Sequence, residues 1–222
     1  MKRALSKRKS PEPPAIIVGE DPKIAPNPSI IEKLEPAVLE AFSKGDFHQA
    51  DMRWIAREAG VSFDTIYRYY GSKQQMLFAF VDKWLGELTD RIADGLQGIE
   101  DTKEKIRKLF RIQLDFYEEK PKIPTIVYTT IPYKTWAANE SFKQKRLIKI
   151  ILGALKEGQT RQILEPNVRT DLLLDIMFGI VLRTFLMWNY RGRKEKLTSL
   201  ADVLFEMLWR AIANPDYAEG QK

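Results

Sequence analysis

From residue 29 onward, apolar side chains recur at helical spacing. Ile30, Leu34, Val38 and Phe42 follow one another every four residues, and Leu39 and Ala41 widen the stripe, so a helix is expected over about 29–42. Ser29 is its expected N-cap, with Glu32 in the first turn, and Gly45 in "SKGDF" suits a left-handed cap at its end. The same reading places helices near 50–59, 62–69, 72–96, 102–119, 122–130, 139–158, 168–191 and 195–213. "TIVYTTI", between Pro124 and Pro132, is the one strand-like run, so the expected fold class is all-α.

The two C-terminal patterns differ from each other. In "TDLLLDIMFGIVLRTFLMWNY" apolar residues occupy every side of the helix, which predicts burial all round. The last helix keeps one stripe, Leu197, Leu200, Val203, Leu204, Met207, Leu208, Ala211 and Ile212. Two such helices from each of two copies would form a four-helix homodimer interface; the alternative is internal core without dimerisation. At the other end, the first 28 residues combine Lys2, Arg3, Lys7, Arg8 and Lys9 with six of the twelve prolines. They read either as a solvated tail or as a basic arm that reaches phosphates.

Between the first helix and residue 80 the spacing carries a function. Counted from Met52, Ile55, Ala56, Ala59, Gly60, Val61, Ile66 and Tyr69 fall at positions 4, 5, 8, 9, 10, 15 and 18, with Ala59 and Gly60 adjacent at the turn. Two short helices crossing steeply need a small residue at closest approach, Ala56, and a residue that accepts positive φ in the turn, Gly60. Ile55, Val61 and Ile66 would share a small core, Tyr69 would join it, and Ser62 would cap the second helix. That helix would present Phe63, Asp64, Thr65 and Arg68 to a DNA major groove.

"MRWIAREAGVSFDTIYRYYGSKQQML", preceded by a helix ending in "AFSKGDF", resembles the DNA-binding domain of the TetR-type bacterial transcriptional regulators over roughly residues 29–80. The resemblance implies that Ser62 to Thr65 and Arg68 face bases and phosphates, and that Tyr67 and Lys73 reach phosphates. It also implies a ligand-responsive homodimer, most readily a repressor, on a palindromic double-stranded operator in the cytoplasm. Three positions depart from the family pattern. Asp51 stands where Thr or Ser is usual, Asp64 replaces a small residue, and Tyr70 replaces Phe. The resulting organisation is an arm (1–28), a helix-turn-helix domain (29–75, motif about 50–69), a helical ligand-binding and dimerisation domain (76–214) and a tail (215–222).

Composition narrows the chemistry. With no cysteine and His48 as the one histidine, thiolate and His-cluster metal sites are excluded within one chain, and neither a cofactor nor catalysis is expected. No run is long and apolar enough for a membrane helix, so no membrane partner is expected. The net charge of +6 suits a polyanionic partner, yet residues 29–75 hold six Lys/Arg against seven Asp/Glu, so DNA affinity must come from placement. Residues 102–163 hold fourteen Lys/Arg against six Asp/Glu, either a solvated basic face or an attractor for an amphipathic anion such as a fatty acid or acyl-CoA.

The middle helices carry the expected effector pocket: Phe110, Gln113, Tyr117, Tyr128, Trp136, Phe178 and Arg183, with Gln113 and Arg183 as polar anchors inside apolar faces. "EKPKIPTIVYTTIP" is the expected hinge. Two other classes remain open: a helical ligand-binding enzyme or carrier without DNA, and a DNA-organising protein whose C-terminal domain binds a protein partner.

Overall fold

The structure, a computed structural model, describes residues 27–132 and 144–219, and within them it is helical with no extended sheet strand. Helices α1 (Pro28–Phe42), α2 (Met52–Ala59) and α3 (Phe63–Tyr70) form the N-terminal unit, and α4 (Lys73–Gly95) leaves it as a 23-residue strut. Then follow α5 (Thr102–Glu119), α6 (122–130), α7 (Gln144–Thr160), α8 (Thr170–Tyr190), a 3₁₀ turn (Leu197–Leu200), α9 (Ala201–Ile212) and, within the expected tail, a short α10 (Pro215–Glu219). None of the described helices is long and apolar enough to cross a membrane.

The ends of α1 differ from expectation. Asn27, not Ser29, is the N-cap, its side chain accepting from Ser29 N at 3.0 Å, and Pro28 occupies the first turn, where a missing N–H costs nothing. Glu32 lies beyond that turn. At the far end Ser43 is the right-handed C-cap, and Gly45, with φ +92°, makes the left-handed bend two residues later.

α6 bears out the helix expected near 122–130, despite the strand-like composition of "TIVYTTI". It opens as an α-helix, Lys122–Thr125, and continues as a π-helix, Ile126–Thr130. The Thr125 hydroxyl donates to Pro121 O (2.8 Å) and the Thr129 hydroxyl to Thr125 O (2.6 Å), so threonine side chains compete for carbonyls that the helix ladder would use. Strand propensity yields here to tertiary burial: Ile123, Ile126, Thr130 and Ile131 are buried.

α8 and α9 each show two faces. On α8, Leu173, Leu174, Met177, Val181, Phe185 and Trp188 are buried, but Leu172, Gly179 and Arg183 form an exposed stripe, so one chain does not bury this helix all round. On α9 the expected single stripe splits. Leu208 and Ile212 turn inward beside Phe205, while Val203 (57% exposed) and Met207 (61% exposed) turn out. Glu118 of α5 accepts from Thr198 N at 2.7 Å and so ties the start of this last unit to the middle of the bundle.

Candidate nucleic-acid interface and effector region

α2 and α3 meet at the Gly60 corner. Gly60 has φ +61°, its N–H donates to Arg57 O at 3.2 Å, and Val61 N donates to Ala56 O at 3.0 Å, closing α2 in a left-handed cap. Ile55 and Ile66 are buried between the helices and Val61 is half-buried against them. Tyr69, expected in the core, packs against it half-buried, and the adjacent Tyr70 lies deeper. Tyr70 is the buried ring, its phenol pushed up to about 12 by burial, and Tyr69 is half-buried. At 3.6 residues per turn, positions 69 and 70 both flank the face of Ile66, and position 70 lies nearer its centre.

The caps lie where a duplex would be met. Asp51 Oδ1 accepts from Arg53 N at 2.8 Å, so it caps α2 as Thr or Ser would. Ser62 Oγ accepts from Thr65 N at 3.0 Å and lies 2.7 Å from Thr65 Oγ1, so the two hydroxyls are committed to the start of α3. Phe63, Asp64, Tyr67 and Arg68 are exposed, and Thr65 is half-buried. The Phe63 and Tyr67 rings lie 4.6 Å apart, and the Arg68 guanidinium lies 5.3 Å from the Tyr69 ring.

Lys73 does not project freely. Its Nζ donates to His48 O at 3.1 Å and lies 4.8 Å from the Phe47 ring, so it braces the α1–α2 loop. Burial pushes its ammonium down, offset in part by the Asp46 and Asp51 carboxylates. Arg53, exposed in the first turn of α2 beside the Asp51 cap, is a further candidate for phosphate contact: a cation next to an N-cap on the helix that would cross the backbone.

The Asp51 carboxylate stands near these groups, and Asp51→Ser keeps a capping oxygen while removing the charge. Operator affinity is expected to rise about fivefold at low salt, the ~1 kcal/mol of one unit-charge contact in water, with less gain at high salt. Anisotropy titrations at two salt concentrations check this; equal affinities at both would place Asp51 away from phosphate.

The expected effector residues divide. Gln113 and Tyr117 are buried on α5 and Tyr128 is half-buried on α6; Gln113 Nε2 donates to Tyr117 Oη at 3.0 Å, and Tyr117 Oη lies 2.7 Å from Tyr128 Oη. Burial pushes both phenols up, so they stay protonated donors at neutral pH. Gln113 Oε1 is buried without a hydrogen-bond partner among the described residues, and turning the amide would only transfer the deficit to Nε2. Phe110 is fully buried against Phe205, with ring centroids 6.4 Å apart, and Phe178 is half-buried. Arg183 is exposed, so it is no buried anchor in the single chain; an all-apolar helix gives no phase from which to choose its outer side. Trp136 lies outside the described residues. No group of three His, Cys, Asp or Glu side chains among the described residues could hold a metal ion.

Contacts made by α1 join the two regions. Glu35 of α1 accepts from Trp84 Nε1 (2.6 Å) and from Lys83 Nζ (2.8 Å) on α4. Lys122 of α6 pairs with Glu40 of α1 at 2.6 Å. The buried Thr130 hydroxyl, at the end of the π-helix, donates to Phe42 O at 2.8 Å. That carbonyl belongs to the last residue of α1, where helix carbonyls lack intrahelical donors.

Comparison with known proteins bears on both regions. The family described as "Bacterial regulatory proteins, tetR family" matches residues 37–80, and that described as "YsiA-like protein, C-terminal region" matches residues 80–211. The chain is 21% identical to a fatty acid metabolism regulator protein of Bacillus subtilis over 180 residues, 80% of this chain and 93% of the relative. Among solved structures, the fatty acid degradation regulator FadR of Bacillus halodurans superposes with a TM-score of 0.74 at 20% identity, covering 84% of this chain and 97% of that one. FadR of Bacillus subtilis in complex with stearoyl-CoA superposes with a TM-score of 0.71 at 21% identity, covering 80% and 96%. Both structural likenesses establish the fold.

Proposed function

The chain belongs to the tetR family of bacterial regulatory proteins and is a DNA-binding transcriptional regulator, and from that premise we propose that it is a cytoplasmic homodimeric repressor released from a palindromic operator by a long-chain acyl-CoA. The observation that carries the effector half is the Gln113–Tyr117–Tyr128 chain, a line of polar groups that starts at two buried side chains and leaves one buried amide atom unsatisfied. A buried polar atom without a partner is costly, and a ligand with an apolar tail and a polar junction offers it one. Similarity over most of its length to a fatty acid metabolism regulator, and to a fold seen with stearoyl-CoA, supports that ligand class. Regulation of this kind needs no catalytic step, and α6, which carries Tyr128, meets the DNA-reading unit at α1.

The test is operator binding measured with oleoyl-CoA, oleate and free CoA added separately. Release is expected with oleoyl-CoA at micromolar concentration and not with CoA alone. Release by none of the three would overturn the effector assignment and leave the DNA-binding role standing. By linkage the acyl-CoA must bind operator-bound protein more weakly, by the factor through which it weakens operator affinity.

A further inference from the structure

The reading face of α3 carries two side chains of a kind that pairs poorly with guanine or phosphate. Phe63 is the first residue of α3 and remains 39% exposed, its ring stacked beside that of Tyr67 one turn on, which makes an apolar ledge next to the polar corner. Asp64 follows it, exposed, and among the described residues no ion pair or side-chain hydrogen bond engages its carboxylate. Arg68, one turn further along, lies over Tyr69 instead.

Base-edge chemistry then restricts what this face can meet. In the major groove the thymine C5-methyl is the apolar feature, cytosine offers an N4 amino donor, and guanine offers the acceptors N7 and O6. A carboxylate only accepts, so it can pair with an amino group and repels guanine's acceptor edge. An exposed aromatic at the first helical turn gains by covering a methyl group, because burial removes apolar area from water on both sides. Placing a carboxylate one residue further along adds nothing to phosphate binding, and so its value lies in selection.

We infer that Phe63, backed by Tyr67, and Asp64 set the sequence of the operator. Phe63 covers the methyl of a half-site thymine, and Asp64 accepts from the amino group of a neighbouring cytosine and excludes guanine from that position. This rests on α3 being the helix that enters the groove.

The experiment uses the full-length protein to select duplexes from a randomised pool, followed by anisotropy titrations on the recovered operator. Replacing each thymine by deoxyuridine in turn deletes one methyl and nothing else. At one half-site thymine the wild-type protein is expected to lose about fourfold in affinity, the worth of one buried methyl, and Phe63→Ala is expected to show no such loss. Guanine in place of the selected cytosine is expected to cost the wild-type protein about tenfold or more, and Asp64→Asn, whose amide can donate to guanine, is expected to lose most of that discrimination. A uracil penalty that is absent everywhere, or that persists in Phe63→Ala, overturns the Phe63 assignment. Undiminished rejection of guanine by Asp64→Asn overturns that of Asp64. A pool with no enriched sequence overturns the placement of α3 itself.

Discussion

Val203→Glu combined with Met207→Glu is expected to give a folded monomer whose operator affinity has fallen by a factor of about 10² to 10⁴. Both side chains are already mostly exposed in the single chain, so their replacement leaves the interior of the bundle intact. They lie one turn apart on the outer face of α9, opposite Leu208 and Ile212, which turn inward. Leu172, 49% exposed, adds an apolar group on α8. An apolar face on two C-terminal helices is suited to a second copy of the same face, since a two-fold interface pairs a patch with itself.

Four acidic groups at such an interface would face one another, unpaired and partly desolvated, and dimerisation would fail. The loss of DNA affinity follows from geometry. In a dimer the second recognition helix binds its half-site as an intramolecular event, and that gain, of the order stated, vanishes in a monomer. Light scattering coupled to gel filtration gives the mass, circular dichroism the fold, and anisotropy the affinity. A double variant that stays dimeric and binds normally would place the homodimer contact elsewhere.

How far the chain could be read before folding depends on the range of the interactions involved. The α2–α3 corner was legible because it is local. Gly60 needs positive φ, Asp51 and Ser62 cap within three residues, and Ile55 and Ile66 lie on facing sides of two short helices. The Lys73 brace was not foreseen because its acceptor is a carbonyl 25 residues away, and spacing within the motif does not contain that contact. Tyr69 packs against the core as expected, but the deeper burial of Tyr70 was not foreseen, because adjacent tyrosines differ only in phase.

The C-terminal half was legible as helix but not as faces. Periodicity assigns a face only where polar residues mark the other side. α8 offers few, which left Arg183 looking buried, and on α9 a broad apolar pattern concealed two opposed faces and omitted Phe205 from the core. α6 was legible as a helix near 122–130, but its π-helical turn was not. Its helical state depends on burial of Ile123 and Ile126 and on threonine hydroxyls bonding to carbonyls four residues back, neither of which a propensity includes. The same threonines make this segment the second strong test of mechanism.

Thr130→Val is expected to keep operator binding within a few-fold of wild type and to abolish most of its response to the acyl-CoA. Valine matches threonine in shape, so packing is retained, and what disappears is the buried donor to Phe42 O. That bond, with the Lys122–Glu40 pair, is where α6 grips α1, and α1 in turn holds α2. Tyr128 lies two residues before Thr130 in the π-helix, a geometry whose backbone bonds are poorer than those of an α-helix and which often marks functional positions. A ligand group that competes for the Tyr117–Tyr128 hydrogen bond would therefore rotate or shift the segment that ends in Thr130.

Coupling between two sites is commonly 5- to 150-fold in affinity, and removing the link that transmits it should reduce the factor to below about threefold. Thr130→Ser, which restores the hydroxyl, should recover most of the response. The readout is the ratio of operator affinities with and without saturating oleoyl-CoA, measured beside direct binding of the ligand to the free protein. Ligand binding that persists while the ratio collapses identifies Thr130 as part of the linkage. A ratio unchanged in Thr130→Val would mean that the signal reaches the reading head by another route, with the Lys122–Glu40 pair and the α4 contacts of Glu35 to Trp84 and Lys83 as the next bridges to cut.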